Sequence, residues 1–158
     1  MCKCNKYRDD KLHHECGVLG IYGVDDAAGL AYYGLHALQH RGQQGCGIVT
    51  VGPTGEFHRV KGDGLVNEVF NEQKITKLPG RMAIGHVRYS NAGCKGTENI
   101  QPFLFHHNSG DFAMANNGQI VNYNQLRAEL EDKGSLFQSS SDAEVLAHLF
   151  KKQGVDRD

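Results

Sequence analysis

The 158-residue chain has no tryptophan, only 3 prolines and no long apolar run. A segment of roughly 20 apolar residues is needed to span a bilayer, and none of that length is present, so we expect no membrane partner. The first 15 residues, MCKCNKYRDDKLHHE, lack the apolar core of a secretory signal peptide. These absences predict a soluble, cytoplasmic protein.

Neither sign of charge dominates the chain. Its 17 Lys and Arg residues are balanced by 18 Asp and Glu, which gives a formal net charge of -1 at pH 7. No run of basic residues supplies the positive surface that duplex binding requires. We therefore expect no nucleic-acid partner.

The cysteines do not form a disulfide pattern. There are 5, an odd number without a repeating spacing, in a chain that carries no secretory signal. At least one thiol is therefore free for chemistry. Glycine is abundant, with 20 residues where about 7% of a chain is usual, and this predicts tight turns or close approaches of the backbone.

The composition changes at Cys16. Residues 1–15 hold little apolar surface, so we predict a leader that does not fold. After it, apolar alternation and turn residues predict a series of strands and helices. The predicted strands cover residues 16–24, 45–51, 56–61, 81–89, 103–105 and 112–115, and the predicted helices cover residues 27–40 and 65–78, with two more after Asn122 and Ser141.

Local signals mark the ends and faces of these helices. Asp25 and Asp26 are N-cap candidates for the first helix. Its predicted apolar face consists of residues at helical spacing: Leu30, Tyr33, Gly34, Ala37 and Leu38. Two capping boxes and one hydrophobic staple are predicted in the last third: Asn122 with Gln125, Ser141 with Glu144, and Val121 with Leu126.

A metal site near the N-terminus is one possible source of function. Its candidate ligands are cysteines and histidines: Cys2, Cys4, His13, His14 and Cys16. A single residue separates the first two cysteines, whereas zinc sites favour a spacing of two to four. An unfolded tail therefore explains these residues better, and a non-catalytic metal-binding module stays open as the alternative.

Cys16 itself suggests a second kind of chemistry. Removal of residues 1–15 would place a thiol and a free α-amine on this one residue. An α-amine has a pKa of roughly 7.7 to 8.0, so its neutral fraction near pH 7 can take the thiol proton, directly or through a water. The structural alternative is a small buried cysteine at the start of a strand.

Five segments after Cys16 carry a family resemblance. In order, they are LQHRGQQG at 38–45, GHVRYSNAG at 85–93, NIQPF at 99–103, NNGQI at 116–120 and SSSD at 139–142. Together they resemble the class II glutamine amidotransferase domain, a family of N-terminal nucleophile (Ntn) hydrolases. Residues 15–22 and 39–43 are most similar to the branch whose acceptor is phosphoribosyl pyrophosphate, in the first committed step of purine synthesis. The branches that make glucosamine 6-phosphate or asparagine stay open as rivals.

The resemblance implies roles for eight residues. Cys16 is implied as the nucleophile that attacks the side-chain amide of glutamine and releases ammonia. The side chain of Asn117 and the backbone amide of Gly118 are implied as the oxyanion hole. Arg88 is implied as the clamp for the substrate α-carboxylate and Asp142 as the acceptor for its α-ammonium group. The remaining candidates for substrate binding are Tyr89, His86 and Arg41.

The resemblance also implies a fold and a larger enzyme. The fold is α+β, the four-layer αββα sandwich of the Ntn hydrolases, with residues 1–15 as a propeptide and residues 16–158 as the first part of the domain. A phosphoribosyltransferase domain would follow, so we expect a fragment. No cofactor is expected within the chain, since Mg²⁺ and a [4Fe-4S] cluster would belong to the C-terminal part. L-glutamine is the expected substrate, phosphoribosyl pyrophosphate the partner of the missing domain, and the full-length enzyme a homo-oligomer.

Overall fold

A computed structural model gives the fold over residues 16–89, 96–108 and 110–154. The leader lies outside the described residues, and with it the cysteines and histidines of the metal alternative that precede Cys16. The chain divides into two compact units, Met1–Asn117 and Gly118–Asp158. Among the described residues, no helix is both long and apolar enough to cross a membrane.

Antiparallel strands form the two sheets of the first unit. The larger sheet contains β1 (Gly17–Tyr22), β2 (Gly45–Val51), β3 (Phe57–Asp63) and β4 (Met82–Arg88), in the order β1-β4-β2-β3. The smaller sheet pairs β5 (Phe103–Phe105) with β6 (Phe112–Met114). All six predicted strands are present, and their combination with helices confirms the α+β class.

The first strand differs from its prediction in one respect. The alternation of glycine with apolar residues over positions 16–24 predicts a buried strand. Instead, β1 is at the edge of the sheet, and the side chains of Val18 and Tyr22 are exposed. The alternation of burial along β1 follows from the pleat, since successive side chains point to opposite faces. Leu19 and Ile21 on the other face pack against the core.

Helix α1 (Ala27–Ala37) covers the core face of the sheet. It ends earlier than predicted, and a short 3₁₀ turn (Gln39–Arg41) follows it. Asp26 caps its first turn as expected, because its Oδ1 accepts a hydrogen bond from the backbone N–H of Gly29 at 3.0 Å.

The predicted apolar face of α1 is wrong for Leu30 and Tyr33, although Leu38 after the helix packs against the core. The large side chains of Leu30 and Tyr33 are exposed. The buried side is instead formed by smaller residues together with one leucine: Ala27, Ala28, Ala31 and Leu35. Small side chains let the helix backbone lie close to the sheet, whereas the prediction selected the stripe with the bulkiest residues.

The single helix predicted over residues 65–78 is also wrong. The structure has two short helices, α2 (Val66–Val69) and α3 (Glu72–Ile75). Phe70 is extended, with φ −107° and ψ 138°, and its side chain is buried in the core. Asn71 then starts α3 as its N-cap, since its Oδ1 accepts from the N–H of Lys74 at 2.9 Å. Burial of Phe70 and the cap at Asn71 together interrupt the helix.

The opposite face of the larger sheet is covered in part by the segment before β5. The fully buried side chain of Ile100 packs over Gly45, and the carbonyl oxygen of Ile100 accepts from Nζ of Lys61 at 2.9 Å. His86 of β4 lies on this same face, with 0% of its surface exposed. This histidine of an inner strand is therefore out of contact with water.

The second unit contains α4 (Tyr123–Asp132) and α5 (Ala143–Gly154). The capping box and staple predicted for α4 are wrong. Val121 is fully exposed, and among the described residues the side chain of Asn122 makes no capping hydrogen bond. Gln125 instead donates to Glu129, one turn along the helix, at 3.0 Å.

The capping box predicted for α5 is wrong for a different reason. The helix begins at Ala143, so Glu144 is in its first turn and its buried carboxylate reaches back into the preceding loop. Its oxygens accept from the backbone N–H groups of Gln138 and Ser139 at 2.8 and 2.7 Å. The carboxylate thus fixes the loop that leads into the helix, rather than the helix end itself.

The burial of His86 predicts a pH dependence of stability. Burial lowers the pKa of His86 to about 4, against about 6.5 for a free histidine. The unfolded chain therefore binds a proton before the folded chain does. The contribution of His86 to the free energy of unfolding is therefore at its maximum above about pH 6.5. It falls by about 3 kcal/mol as the pH drops to about 4, and it does not change further below that pH.

Urea unfolding of the wild type and of His86→Gln at pH 4.5 and pH 7 measures this contribution. The exposed histidines are the same in both proteins, so they cancel in the comparison. We expect the variant to lose less stability than the wild type between the two pH values. Equal losses would show that His86 does not carry the effect.

Candidate active site

Cys16 lies directly before β1, against the end of β4. Its Sγ is 3.3 Å from the backbone nitrogen of Tyr89, which donates to it, and 3.5 Å from the carbonyl oxygen of the same residue. The ladder pairs Gly17 with Val87, so the register extended by one residue sets Cys16 opposite Arg88. Strand pairing therefore brings together residues that are more than 70 positions apart.

Arg41 joins this cluster from the turn after α1. Its Nε donates to the carbonyl oxygen of Cys16 at 3.3 Å. The turn is itself attached to β4, because the N–H of Gln44 donates to the carbonyl oxygen of Arg88 at 3.1 Å. The structure thus brings both Arg41 and Tyr89 into direct contact with Cys16.

Arg88 ends β4, with only 9% of its surface exposed. Its Nη1 donates to the carbonyl oxygen of Gly96 at 3.4 Å, and it takes part in further interactions. The fork of donors on a guanidinium matches a carboxylate. A guanidinium on the residue opposite Cys16 in the extended register is suited to bind the carboxylate of a small substrate.

His86 lies on the same face of β4 as Arg88. Neither of its ring nitrogens has a hydrogen-bond partner among the described residues. The shift of its pKa to about 4 comes mainly from burial, opposed by the nearby backbone of Asn116 and reinforced by the charge of Arg88. The ring is therefore neutral at pH 7, and its assignment to substrate binding stays a prediction.

The segment after β6 carries the two residues assigned to the oxyanion hole. Asn117 is exposed, and Gly118 has a φ of 151°, which residues with a Cβ rarely adopt. Just before them, the N–H of Asn116 donates to Oε1 of Gln101 at 2.6 Å. The backbone conformation at position 118 therefore favours glycine over residues with a Cβ.

Asp142 belongs to the second unit. Its Oδ2 accepts from the backbone N–H of Ile120 at 2.7 Å. The carboxylate therefore holds the chain two residues after Gly118, within its own unit. Its assignment to the substrate ammonium group stays a prediction.

The second described thiol differs from Cys16 in its surroundings. Cys46 is fully buried within β2, and burial raises its pKa to about 12. It is therefore protonated and inert at neutral pH. Cys16 is half-buried at a strand end, so it is the described cysteine that a substrate can reach.

Sequence reasoning missed Gln101. The segment NIQPF was recognised as part of the family pattern, but no role was assigned to any of its residues. The bond from Asn116 to Gln101 spans 15 residues, and no local pattern predicts such a pairing. In the part of the chain that the structure describes, no group of three or more His, Cys, Asp or Glu residues could hold a metal ion.

Comparison with known proteins identifies the family of the chain. A family model described as "Glutamine amidotransferase domain" matches residues 71–157, more than half of the chain. The chain is 54% identical over 145 residues to amidophosphoribosyltransferase 1, chloroplastic, of Arabidopsis thaliana. This alignment covers 92% of this chain and 26% of the relative. It is 51% identical over 143 residues to the amidophosphoribosyltransferase of Lacticaseibacillus casei. That alignment covers 90% of this chain and 73% of the relative.

A solved structure agrees with the fold. The glutamine phosphoribosylpyrophosphate amidotransferase of B. subtilis superposes with a TM-score of 0.78 at 51% sequence identity, covering 85% of this chain and 29% of that one. The predicted Ntn fold is thereby confirmed. The chain spans about a quarter of the length of the Arabidopsis relative, and the predicted division into propeptide and partial domain stays a prediction.

These findings favour neither the metal-binding module nor the glucosamine and asparagine branches. Three findings indicate the same family: the matched domain, the identity to the relatives and the shared fold. The chain belongs to the glutamine amidotransferase domain family, within the amidophosphoribosyltransferases.

Proposed function

We propose that the chain carries the glutaminase half-reaction of an enzyme that transfers ammonia from L-glutamine to phosphoribosyl pyrophosphate. The observation that carries the proposal is the position of Cys16. Its Sγ accepts from the N–H of Tyr89 at 3.3 Å, and the register of β1 and β4 sets it opposite Arg88. The names of the relatives supply the acceptor.

The reaction begins with attack by Sγ of Cys16 on the side-chain carbonyl carbon of glutamine. The carbon–nitrogen bond then breaks, and the nitrogen takes up a proton and leaves as ammonia. Water hydrolyses the resulting γ-glutamyl thioester, which releases glutamate and restores the thiol. Once residues 1–15 are removed, the α-amine of Cys16 serves as the base that takes the thiol proton and returns it to the leaving nitrogen.

The backbone around Cys16 supports this role. A backbone N–H directed at sulfur stabilises the negative charge that develops there, and the N–H of Tyr89 occupies that position. Arg41 binds the backbone of the same residue, since its Nε donates to the carbonyl oxygen of Cys16 at 3.3 Å. In this proposal Arg41 acts by orienting the nucleophile as well as by lining the substrate site.

The side-chain amide of Asn117 and the N–H of Gly118 bind the oxyanion of the tetrahedral intermediate. Each such donor contributes on the order of 3 kcal/mol to the transition state. Arg88 binds the α-carboxylate of glutamine, and Asp142 binds its α-ammonium group. Since Oδ2 of Asp142 already accepts from Ile120, the substrate would interact chiefly with the second oxygen.

The properties of the whole enzyme belong to this proposal. Ammonia transfer requires the phosphoribosyltransferase domain, and we assign Mg²⁺ and the [4Fe-4S] cluster to that part and not to the described residues. Assembly into a homo-oligomer is proposed for the full-length enzyme. A cytoplasmic location is proposed as well, although the relative from Arabidopsis thaliana is named chloroplastic.

Loss of the nucleophile should abolish the reaction. We expect Cys16→Ala to remove glutamine-dependent ammonia release, measured by a coupled glutamate dehydrogenase assay. The electrophilic glutamine analogue diazo-oxonorleucine should label the wild type at Cys16. Cys46→Ala is the matched control and should keep both the activity and the label, because the thiol of Cys46 is buried. Labelling that persists in Cys16→Ala would point to another nucleophile.

Removal of the leader can be followed by intact mass. The thiol of Cys16 attacks the carbonyl carbon of Glu15, the amide bond between them breaks, and water then cleaves the thioester. We expect the wild type and Cys46→Ala to lose residues 1–15, while Cys16→Ala retains them. A chain with its full mass and full glutaminase activity would show that a free α-amine is not required.

Arg88→Lys tests the carboxylate clamp. A lysine keeps the positive charge but loses the bidentate geometry, so we expect KM for glutamine to rise by about 10- to 100-fold with a smaller change in kcat. Arg59→Lys is the control, because Arg59 is exposed on the edge strand β3, which β2 separates from β4. An unchanged KM in Arg88→Lys would exclude the clamp.

A further inference from the structure

We infer that Gln101 is a positioning residue for the oxyanion hole, acting through the backbone of Asn116. The inference rests on the proposed function, since it concerns the residue that precedes Asn117. Gln101 does not need to touch substrate in this role. It places the carboxamide of Asn117 by fixing the chain one residue before it.

The contact itself is short and protected from water. Oε1 of Gln101 accepts from the N–H of Asn116 at 2.6 Å, and Gln101 is 7% exposed. The side chain of Gln101 therefore holds the backbone at Asn116 through this bond.

Gln101 is itself fixed to the larger sheet through its backbone. A Cβ at position 47 would lie 2.5 Å from the carbonyl oxygen of Gln101 and 3.1 Å from Cδ of Pro102, so the glycine of β2 lets this segment lie directly on the strand. The preceding residue, Ile100, is fully buried, and its carbonyl oxygen is bound by Lys61. Contacts on both sides of Gln101 thus leave its backbone little freedom.

The sheet below this segment is the one that carries the nucleophile. Gly47 is paired with His86, and His86 is two residues before Arg88 on β4. The link from Asn116 through Gln101 to β2 therefore connects the oxyanion segment to the strand that Cys16 faces. Within the first unit, a connection of this kind positions Asn117 relative to the strand beside the attacking sulfur.

The expected effect is on the transition state rather than on substrate binding. Misplacement of a catalytic donor by about 1 Å costs about 100-fold in rate, and loss of one oxyanion donor costs about 10²- to 10³-fold in kcat. Asn117 would be displaced in a variant of Gln101 but not removed. We therefore expect an effect of about 10- to 100-fold on kcat and less than about threefold on KM.

The test uses three variants of the full chain. Gln101→Met keeps the length and approximate volume of the side chain but removes the acceptor, and its kcat for glutamine hydrolysis should fall by about 10- to 100-fold. Gln101→Glu retains an oxygen acceptor and should restore kcat to within about fivefold of the wild type. Asn71→Ala is the control, since it removes a side-chain acceptor from a backbone N–H at α3 and should lower only the melting temperature.

Two further measurements separate positioning from general damage. Alkylation of Cys16 by iodoacetamide needs no oxyanion hole, so its rate should be the same in Gln101→Met and the wild type. Amide exchange resolved at Asn116 should be faster in Gln101→Met than in the wild type or Gln101→Glu. An unchanged kcat in Gln101→Met, or equal losses in the Met and Glu variants, would overturn the inference.

Failure of the proposed function has a different signature. A wild-type chain that releases no ammonia from glutamine would overturn that function, whatever the variants do. An unchanged amide exchange rate at Asn116 in Gln101→Met would overturn the inference that Gln101 fixes the backbone of Asn116, even if the wild type is active. The two results come from different measurements and cannot be confused.

Discussion

The antiparallel pairing of β1 with β4 is the constraint on which the site depends. Cys16 lies one residue before the first pair of this ladder, Gly17 with Val87. That register delivers Sγ to the backbone of Tyr89 and sets Cys16 opposite Arg88. A shift of one residue would turn each side chain of β1 to the other face of the sheet. The nucleophile and the proposed carboxylate clamp are thus positioned by the same backbone hydrogen bonds.

The rest of the first unit preserves that pairing from both faces. On the core face, the alanines of α1 allow the helix to approach the sheet closely. On the opposite face, Gly47 admits the backbone of Gln101 where a Cβ would collide with it. Both contacts depend on the absence of side-chain bulk. This explains why a glycine-rich chain builds a rigid site rather than a flexible one, since close approach of backbones replaces side-chain packing.

The strands and the family could be predicted from the sequence, because apolar alternation and ordered motifs are local. The Asp26 cap is local too, and it was confirmed. The errors arose where a contact outside the local pattern determines the structure. Burial of Phe70 in the core interrupts a helix. The carboxylate of Glu144 binds Ser139 instead of closing a capping box. The role of Gln101 belongs to the same class, because its partner is 15 residues away.

The proposed oxyanion residues lie where one compact unit ends and the next begins, at Asn117 and Gly118. Each flank is fixed within its own unit by a side-chain oxygen that accepts a backbone N–H: Gln101 binds that of Asn116, and Asp142 binds that of Ile120. Gly118 between them has the φ of 151° that a residue with a Cβ would resist. Each of these two hydrogen bonds orders the backbone within its own unit, and donors that are ordered before the reaction are the condition for strong electrostatic stabilisation. Asp142 would then serve the substrate and the segment at once, through different oxygens.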